Sequence, residues 1–396
     1  MSEKPSAAHL ATTGDIRPFR INVADEQLDD LRRRLAATRW PSAELGAPWQ
    51  QGPPLSYMQA LCGYWATDYD WRSCEERLGR YDHALIEIDG VDVHFLRAPS
   101  RHENATPVVL LHGWPGSIIE FLDAIEPLRD PTAHGASAAD AIDVVVPSLP
   151  GHGFSGVPDE QGWDIPRIAR AVSELMNRLG YERYVASGTD WGAVVAMALG
   201  QSESPERLAG ISLNLAFADP RNYDFEPDQL ESRLHARIRE YLRSDRGYAV
   251  IQSTRPQAIG YALDDSPSGL AAWIVDKFHS WADFGTELEE AVPRDRLLDD
   301  ITLYWLTRTG TSSARLYYEA FDALFTDLAS IACPVAYTRA DDIFQLSERE
   351  ARTRFSDLRR YSVAERGGHF LALEQPAWFA EDLRRSVRAL RRPMHP

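Results

Sequence analysis

At 396 residues, 44% apolar and 26% charged, the chain has the make-up of a soluble globular protein, long enough for one large α/β domain with insertions. A formal charge of −17 argues against nucleic acid or an anionic membrane as partner, since both demand basic patches. No run approaches the ~18 apolar residues of a membrane span, the start Met1-Ser2-Glu3-Lys4-Pro5 lacks a signal-peptide pattern, and Cys62, Cys74 and Cys333 give neither a disulfide framework nor a CxxC pair, so a cytoplasmic protein with buried thiols is expected.

The first ~15 residues are polar and expected to be mobile. Leu28, Leu31 and Leu35 then repeat at helical spacing, with Pro41 beyond the helix end. Two strand-like runs, 84–89 and 91–96, meet at Asp89-Gly90, a strong hairpin signal. From residue 105 apolar runs alternate with helical stretches, the pattern of a parallel sheet. The strands expected are 107–111, 142–147, 183–187 and 210–215. Helices are expected at 165–179, where Ile168, Val172, Leu175 and Leu179 share a face, and at 193–199. The alternation breaks near Phe217, and 217–329 reads mainly as helices, with a turn at 264–267. A strand at 333–337 resumes it, followed by 361–363 and a terminal amphipathic helix carrying Phe379, Leu383, Val387 and Leu390. The divisions expected are therefore 1–95 as an N-terminal extension, 96–216 and 330–396 as two parts of one core, and 217–329 as a helical lid over the carboxyl ends of the strands.

Three segments carry chemistry. Gly188-Thr189-Asp190-Trp191-Gly192 is a strand-to-helix turn that lifts Asp190 above the sheet, with glycines where only small residues fit. Taken alone, the motif is more often a turn in which Asp190 merely caps the following helix. His112-Gly113-Trp114-Pro115-Gly116-Ser117, directly after a strand, occupies the loop that supplies one oxyanion N–H in the α/β-hydrolase fold; Trp191, after the nucleophile, supplies the other. His112 itself reads as a support for that loop. Gly367-Gly368-His369-Phe370 lies between the last strand and last helix, and the chain order nucleophile, acid, histidine selects His369 among eleven histidines. The orienting acid belongs in the loop after 333–337, where Asp341 and Asp342 both sit.

With these motifs in order, together with Gly151-His152-Gly153-Phe154-Ser155, Asn22 to Pro41 and Tyr69-Asp70-Trp71-Arg72, the chain from about residue 17 onward resembles the microsomal-type epoxide hydrolases, as a bacterial member without the mammalian membrane anchor. The resemblance implies an α/β-hydrolase fold with a mostly parallel central sheet, a helical lid inserted in the core and an epoxide-hydrolase-type N-terminal extension. It favours Asp342, in Asp342-Ile343-Phe344, over Asp341 as the acid. It also assigns two epoxide-activating tyrosines: Tyr248, in Gly247-Tyr248-Ala249, and Tyr317, which the R-x-Y-x-E spacing of Arg315 and Glu319 selects over Tyr318.

The chemistry implied needs these residue types. A carboxylate, with a reference pKa of ~4, is ionised at pH 7 and attacks a strained epoxide carbon without prior deprotonation. Neutral phenols, with a reference pKa of ~10, protonate the alkoxide as it forms. His369, held by the acid, then activates water against the Asp190 ester, and the N–H groups of Trp114 and Trp191 hold the oxyanion. A vicinal diol results. No metal or organic cofactor has a part, and the expected partners are a small-molecule epoxide and water, with a homodimer left open. The aromatics Trp273, Phe278, Trp281, Phe284, Tyr304 and Trp305 suit an apolar, bulky epoxide or simply the lid's own core, and the bacterial resemblance leans to secondary metabolism, on natural-product intermediates such as enediyne precursors. A haloalkane dehalogenase would share Asp190, His369 and Trp191 but would need N–H donors for halide instead of phenols. A catalytically silent binding module would show a broken triad. A serine esterase is disfavoured because the elbow holds Asp190.

Overall fold

The computed structural model describes residues 16–216, 226–321, 331 and 333–391. Among the described residues nine strands form one sheet: β1 (Ile16–Pro18), β2 (Asp82–Ile88), β3 (Val91–Ala98), β4 (Thr106–Leu111), β5 (Ile142–Pro147), β6 (Tyr184–Gly188), β7 (Leu208–Leu213), β8 (Val335–Arg339) and β9 (Leu358–Val363). Their spatial order is β1-β2-β3-β5-β4-β6-β7-β8-β9. The first three pair antiparallel, as does β3 with β5, and every pair from β5 through β9 is parallel. Parallel strands covered on both faces read as continuous apolar runs. Accordingly β5, β6 and β7 are buried at every residue, while β9, at the sheet edge, is only part-buried.

Local chemistry sets the connections. Ile88 pairs with Val91, leaving the two-residue loop Asp89-Gly90, both with positive φ (+52° and +81°). That is the turn whose twist matches a hairpin. The helix Ile165–Arg178 starts where the Asp164 side chain accepts from the Arg167 N–H, and it buries Ile168, Val172 and Leu175 against the sheet. The N-terminal helix Asp25–Ala36 likewise buries Leu28, Leu31 and Leu35.

Between β7 and β8 the chain leaves the sheet for a layer of helices. These include Gln229–Glu240, Gly247–Thr254, Pro256–Leu263, Pro267–Trp281, Arg294–Thr307 and Gly310–Ala320. The N-terminal region packs against this insertion as well as against the sheet: Trp65 donates to Thr302 (2.9 Å) and Tyr69 to Asp299 (2.8 Å). Among the described residues no helix is long and apolar enough to cross a membrane.

Several expectations need correction: β8 begins and ends two residues beyond the run expected at 333–337, and β9 begins three residues before the run expected at 361–363. Strand β1 escaped the pattern because three residues give no periodicity; its pairing to β2 is tertiary. Strand β7 begins two residues before the run expected at 210–215. Gly210 reads as a strand breaker, yet it lies inside β7 with φ +154°, where a Cβ would come 2.6 Å from the Pro334 carbonyl. Of the three expected buried thiols, Cys333 is only part-buried. The expected mobile start lies outside the described residues, as do the points near 217 and 330 where the lid was expected to begin and end.

Candidate active site

The loops that carry Asp190, Trp114, Asp342 and His369 follow β6, β4, β8 and β9, so all four converge at the carboxyl ends of parallel strands on either side of β7. Asp190 opens the helix Asp190–Ser202 with φ +48°, a left-handed conformation unfavourable for an aspartate unless its surroundings enforce it. The enforcement is steric. A Cβ on Gly188 would lie 2.1 Å from the Gly192 carbonyl oxygen, and one on Gly192 would lie 2.0 Å from that of Leu111. A Cβ on Gly113 would lie 2.1 Å from Asp190 Oδ1. The elbow is therefore clamped against the loop after β4, and the glycines permit the approach.

Within that clamp the Trp114 N–H donates to Asp190 Oδ1 at 2.8 Å. Trp191 is the second residue of the helix, so its N–H lacks an i−4 partner within it. His112 donates from Nδ1 to the Gly113 carbonyl (2.9 Å) and accepts the Leu149 N–H on Nε2 (3.1 Å). Burial holds its pKa down to about 4, so it is a neutral strut between two loops.

Asp190 Oδ2 faces His369 Nε2 at 3.5 Å, and His369 Nδ1 hydrogen-bonds Asp342 Oδ2 at 2.9 Å. Asp342 is buried. Asp341 points away, exposed and paired to Arg237, so geometry brings Asp342 and not its neighbour to the histidine. Burial opposes the imidazolium of His369, but the pull of Asp342 and Asp190 outweighs it and sets the pKa well above the ordinary histidine value.

Tyr248 and Tyr317 roof this line, their rings 5.7 Å apart in edge-to-face contact. Tyr248 stacks on Trp114 (5.0 Å), and Tyr317 meets Trp191 edge-on (4.9 Å). Burial foremost pushes both phenols well above the usual tyrosine pKa, joined by the charge of Asp190 at Tyr317 and by Tyr317, Tyr241 and Asp190 at Tyr248, so they stay protonated. Tyr318 is half-exposed.

Among the neighbours, Tyr241, Glu120 and Asp300 had no sequence signal of their own, and Trp281 stood out only as one of the lid aromatics. Tyr241 meets the Tyr248 hydroxyl at 3.2 Å from a π-helical turn. Trp281 packs on His369 (4.9 Å) and on Tyr248 (5.4 Å). Glu120 and Asp300 are fully buried carboxyls with pKa values pushed up to about 8, chiefly by burial. Of the lid aromatics, Phe278 stacks on Phe370 (3.9 Å) and Tyr304 donates to the Gly116 carbonyl (2.9 Å), so both are packing residues. A cavity of about 700 Å³, lined by Trp49, Tyr241, Tyr248, Trp273, Trp281 and charged side chains including Lys277 and Asp276, abuts the site where Tyr248 and Trp281 form its wall.

Known proteins place the chain consistently. The family described as "Epoxide hydrolase N terminus" matches residues 16–121, and the family described as "Alpha/beta hydrolase family" matches residues 108–382. A relative from Stigmatella aurantiaca, itself assigned to the epoxide hydrolases, is 48% identical over 95% of this chain and 86% of its own length. Epoxide hydrolase 1 of Sus scrofa is 32% identical, over 96% and 90%. The crystal structure of the juvenile hormone epoxide hydrolase of the silkworm Bombyx mori superposes with a TM-score of 0.82 at 30% identity, covering 95% of this chain and 94% of that one. The Aspergillus niger epoxide hydrolase superposes with a TM-score of 0.84 at 30% identity, covering 94% and 96%. The chain belongs to the microsomal-type epoxide hydrolase family, on an α/β-hydrolase fold with the family's N-terminal domain.

Proposed function

We propose that the protein opens an epoxide to a vicinal diol through a covalent ester on Asp190, with Tyr248 and Tyr317 as acids and the His369–Asp342 pair as base. The observation that carries this reading is the orientation of the Asp190 carboxylate. Its Oδ1 sits on the Trp114 N–H and its Oδ2 points to His369. Attack by Oδ2 forms the alkyl ester and leaves Oδ1 as the ester carbonyl, already at the donor that will hold the oxyanion. As the epoxide C–O bond breaks, a phenol proton passes to the alkoxide oxygen. Water then adds to Cγ as His369 takes one of its protons, and the Cγ–Oδ2 bond breaks as the departing Oδ2 takes the other, which releases the diol and restores the carboxylate.

Alkylation also prepares the base. With Asp190 ionised, His369 is held as imidazolium between two carboxylates. Esterification removes one of those charges and lowers the imidazole pKa, so the imidazolium proton is given up to restore the phenol that protonated the alkoxide, and Nε2 is free to accept a proton of water. Each half-reaction thus sets the protonation state that the next requires.

The two phenols, both donors at the roof, favour an alkoxide over a halide leaving group, and Tyr317 packs edge-on against the Trp191 ring (4.9 Å). The cavity beside Tyr248 supports a substrate with a bulky substituent, and natural-product epoxides of the enediyne-precursor kind belong to that size class. Its lining is charged as well as aromatic, which supports some polarity in that substituent.

The test is His369→Gln with a reacting epoxide: ester should accumulate as a mass increase confined to the peptide that carries Asp190. No adduct on that peptide counts against the covalent reading, and halide release without diol from a haloalkane counts for the dehalogenase alternative.

A further inference from the structure

Four consecutive backbone N–H groups, from Gly367 to Phe370, present the general base, and none of the four ends on the sheet. Gly368 donates to Glu374 Oε2 (2.8 Å) and Phe370 to Glu374 Oε1 (2.9 Å). Gly367 donates to Asp283 Oδ2 (2.8 Å), and His369 donates to the Trp281 carbonyl (2.9 Å). Glu374 Oε2 also accepts the N–H of Asp283 at 2.8 Å, so this one carboxylate joins the histidine loop to the segment that ends the lid helix Pro267–Trp281. The approach is close. A Cβ on Gly368 would lie 2.4 Å from the Trp281 carbonyl oxygen and 2.8 Å from the Asp283 nitrogen.

We infer that Glu374, with Asp283, is a positioning residue for the hydrolytic half-reaction, fastening the His369 loop to the lid so that Nε2 meets the water at the Asp190 ester. The inference rests on the covalent-ester reading. Glu374 is buried in the short helix Leu371–Glu374, and its carboxylate oxygens bond loop and lid N–H groups, so its action passes through His369. Alkylation draws on other elements: the elbow, the Trp114 N–H and the two phenols. Trp281, which packs on Tyr248, keeps a separate anchor, its indole N–H to Asp245 (2.8 Å). Loosening the loop therefore slows the second step and spares the first.

Glu374→Gln keeps the shape but turns an N–H of its own toward a backbone donor. Single-turnover mixing of the purified full-length chain with an epoxide gives the two rates separately. Hydrolysis of the ester should fall ~10–100-fold, the scale for a catalytic group displaced by ~1 Å, with alkylation within ~3-fold of the parent. Asp283→Ala should slow hydrolysis in the same selective way, and Asp283→Asn, which retains an acceptor for Gly367, should restore it. Equal losses in both steps, or unchanged hydrolysis in folded Glu374→Gln, overturn the inference. If Glu374→Gln does not fold, parent-like hydrolysis in Asp283→Ala overturns it instead. Absence of ester in His369→Gln defeats the covalent reading itself. Ester in that variant with parent-like hydrolysis in Glu374→Gln defeats the positioning role alone.

Discussion

Removing the two phenol hydroxyls separates acid catalysis from packing. Tyr317 is buried and held edge-on by Trp114 (5.7 Å), Trp191 and Tyr248, so Tyr317→Phe keeps its ring contacts and loses only the hydroxyl. Tyr248→Phe keeps the stack on Trp114 and gives up the contact to Tyr241. A hydrogen bond to a charged group contributes about 1.5–3 kcal/mol, which for a bond to the developing alkoxide is about ten- to a hundred-fold in alkylation rate per phenol. Either tyrosine alone can still supply the proton, so each single variant should stay in that range. The double variant has no donor left and should lose more than the product of the two single effects. Stopped-flow quenching of tryptophan fluorescence, with Trp114 and Trp191 beside Asp190, reads alkylation directly. A double variant that alkylates within a few-fold of the parent refutes the role of the phenols and returns the dehalogenase reading to contention.

Asp342→Asn should slow ester hydrolysis by about 10²–10⁴-fold, since the imidazole loses the anion that orients it, whereas the exposed Asp341→Asn should leave steady-state turnover unchanged; the reverse result reassigns the acid. Gly113→Ala places a methyl 2.1 Å from Asp190 Oδ1 and should abolish adduct formation in protein that still folds, as judged by circular dichroism and reaction with a radioactive epoxide. Glu120 has its folded pKa raised to about 8 by burial, so its stabilising contribution is full below its unfolded value near ~4.5 and is lost as pH rises through 8. Denaturant unfolding of Glu120→Gln should therefore show a flatter decline of stability between pH 5 and 8, by up to ~1.4 kcal/mol per pH unit, and parallel curves for the two proteins would show that Glu120 is ionised throughout.

Much of the site was legible because backbone geometry forces particular residues. A carboxylate at φ +48° between two glycines, and a histidine after Gly-Gly in the last loop, are steric statements written in the sequence, and the structure gives each glycine its reason. The core strands were legible from apolar continuity, since β5 to β7 are buried at every residue. The two tyrosines became legible only through the family resemblance, because a lid tyrosine gives the same local pattern whether it packs or donates a proton. Glu374, Glu120 and Asp300 were invisible for a different reason. Their environments are made by elements far apart in the chain: Ser117 meets Asp300 across 183 residues, and the Asp283 N–H meets Glu374 across 91. Even the difference between Asp341 and Asp342 lies in contacts across space, with Arg237 at the one and His369 at the other.

Single turnover in heavy-oxygen water tests the central claim most directly. With enzyme in excess, the account predicts that the first diol carries no label, because its new oxygen comes from Asp190 Oδ2, and that the label appears in the peptide containing Asp190. Label in the first diol, with none in that peptide, would mean that water attacks the epoxide itself and would contradict the covalent mechanism.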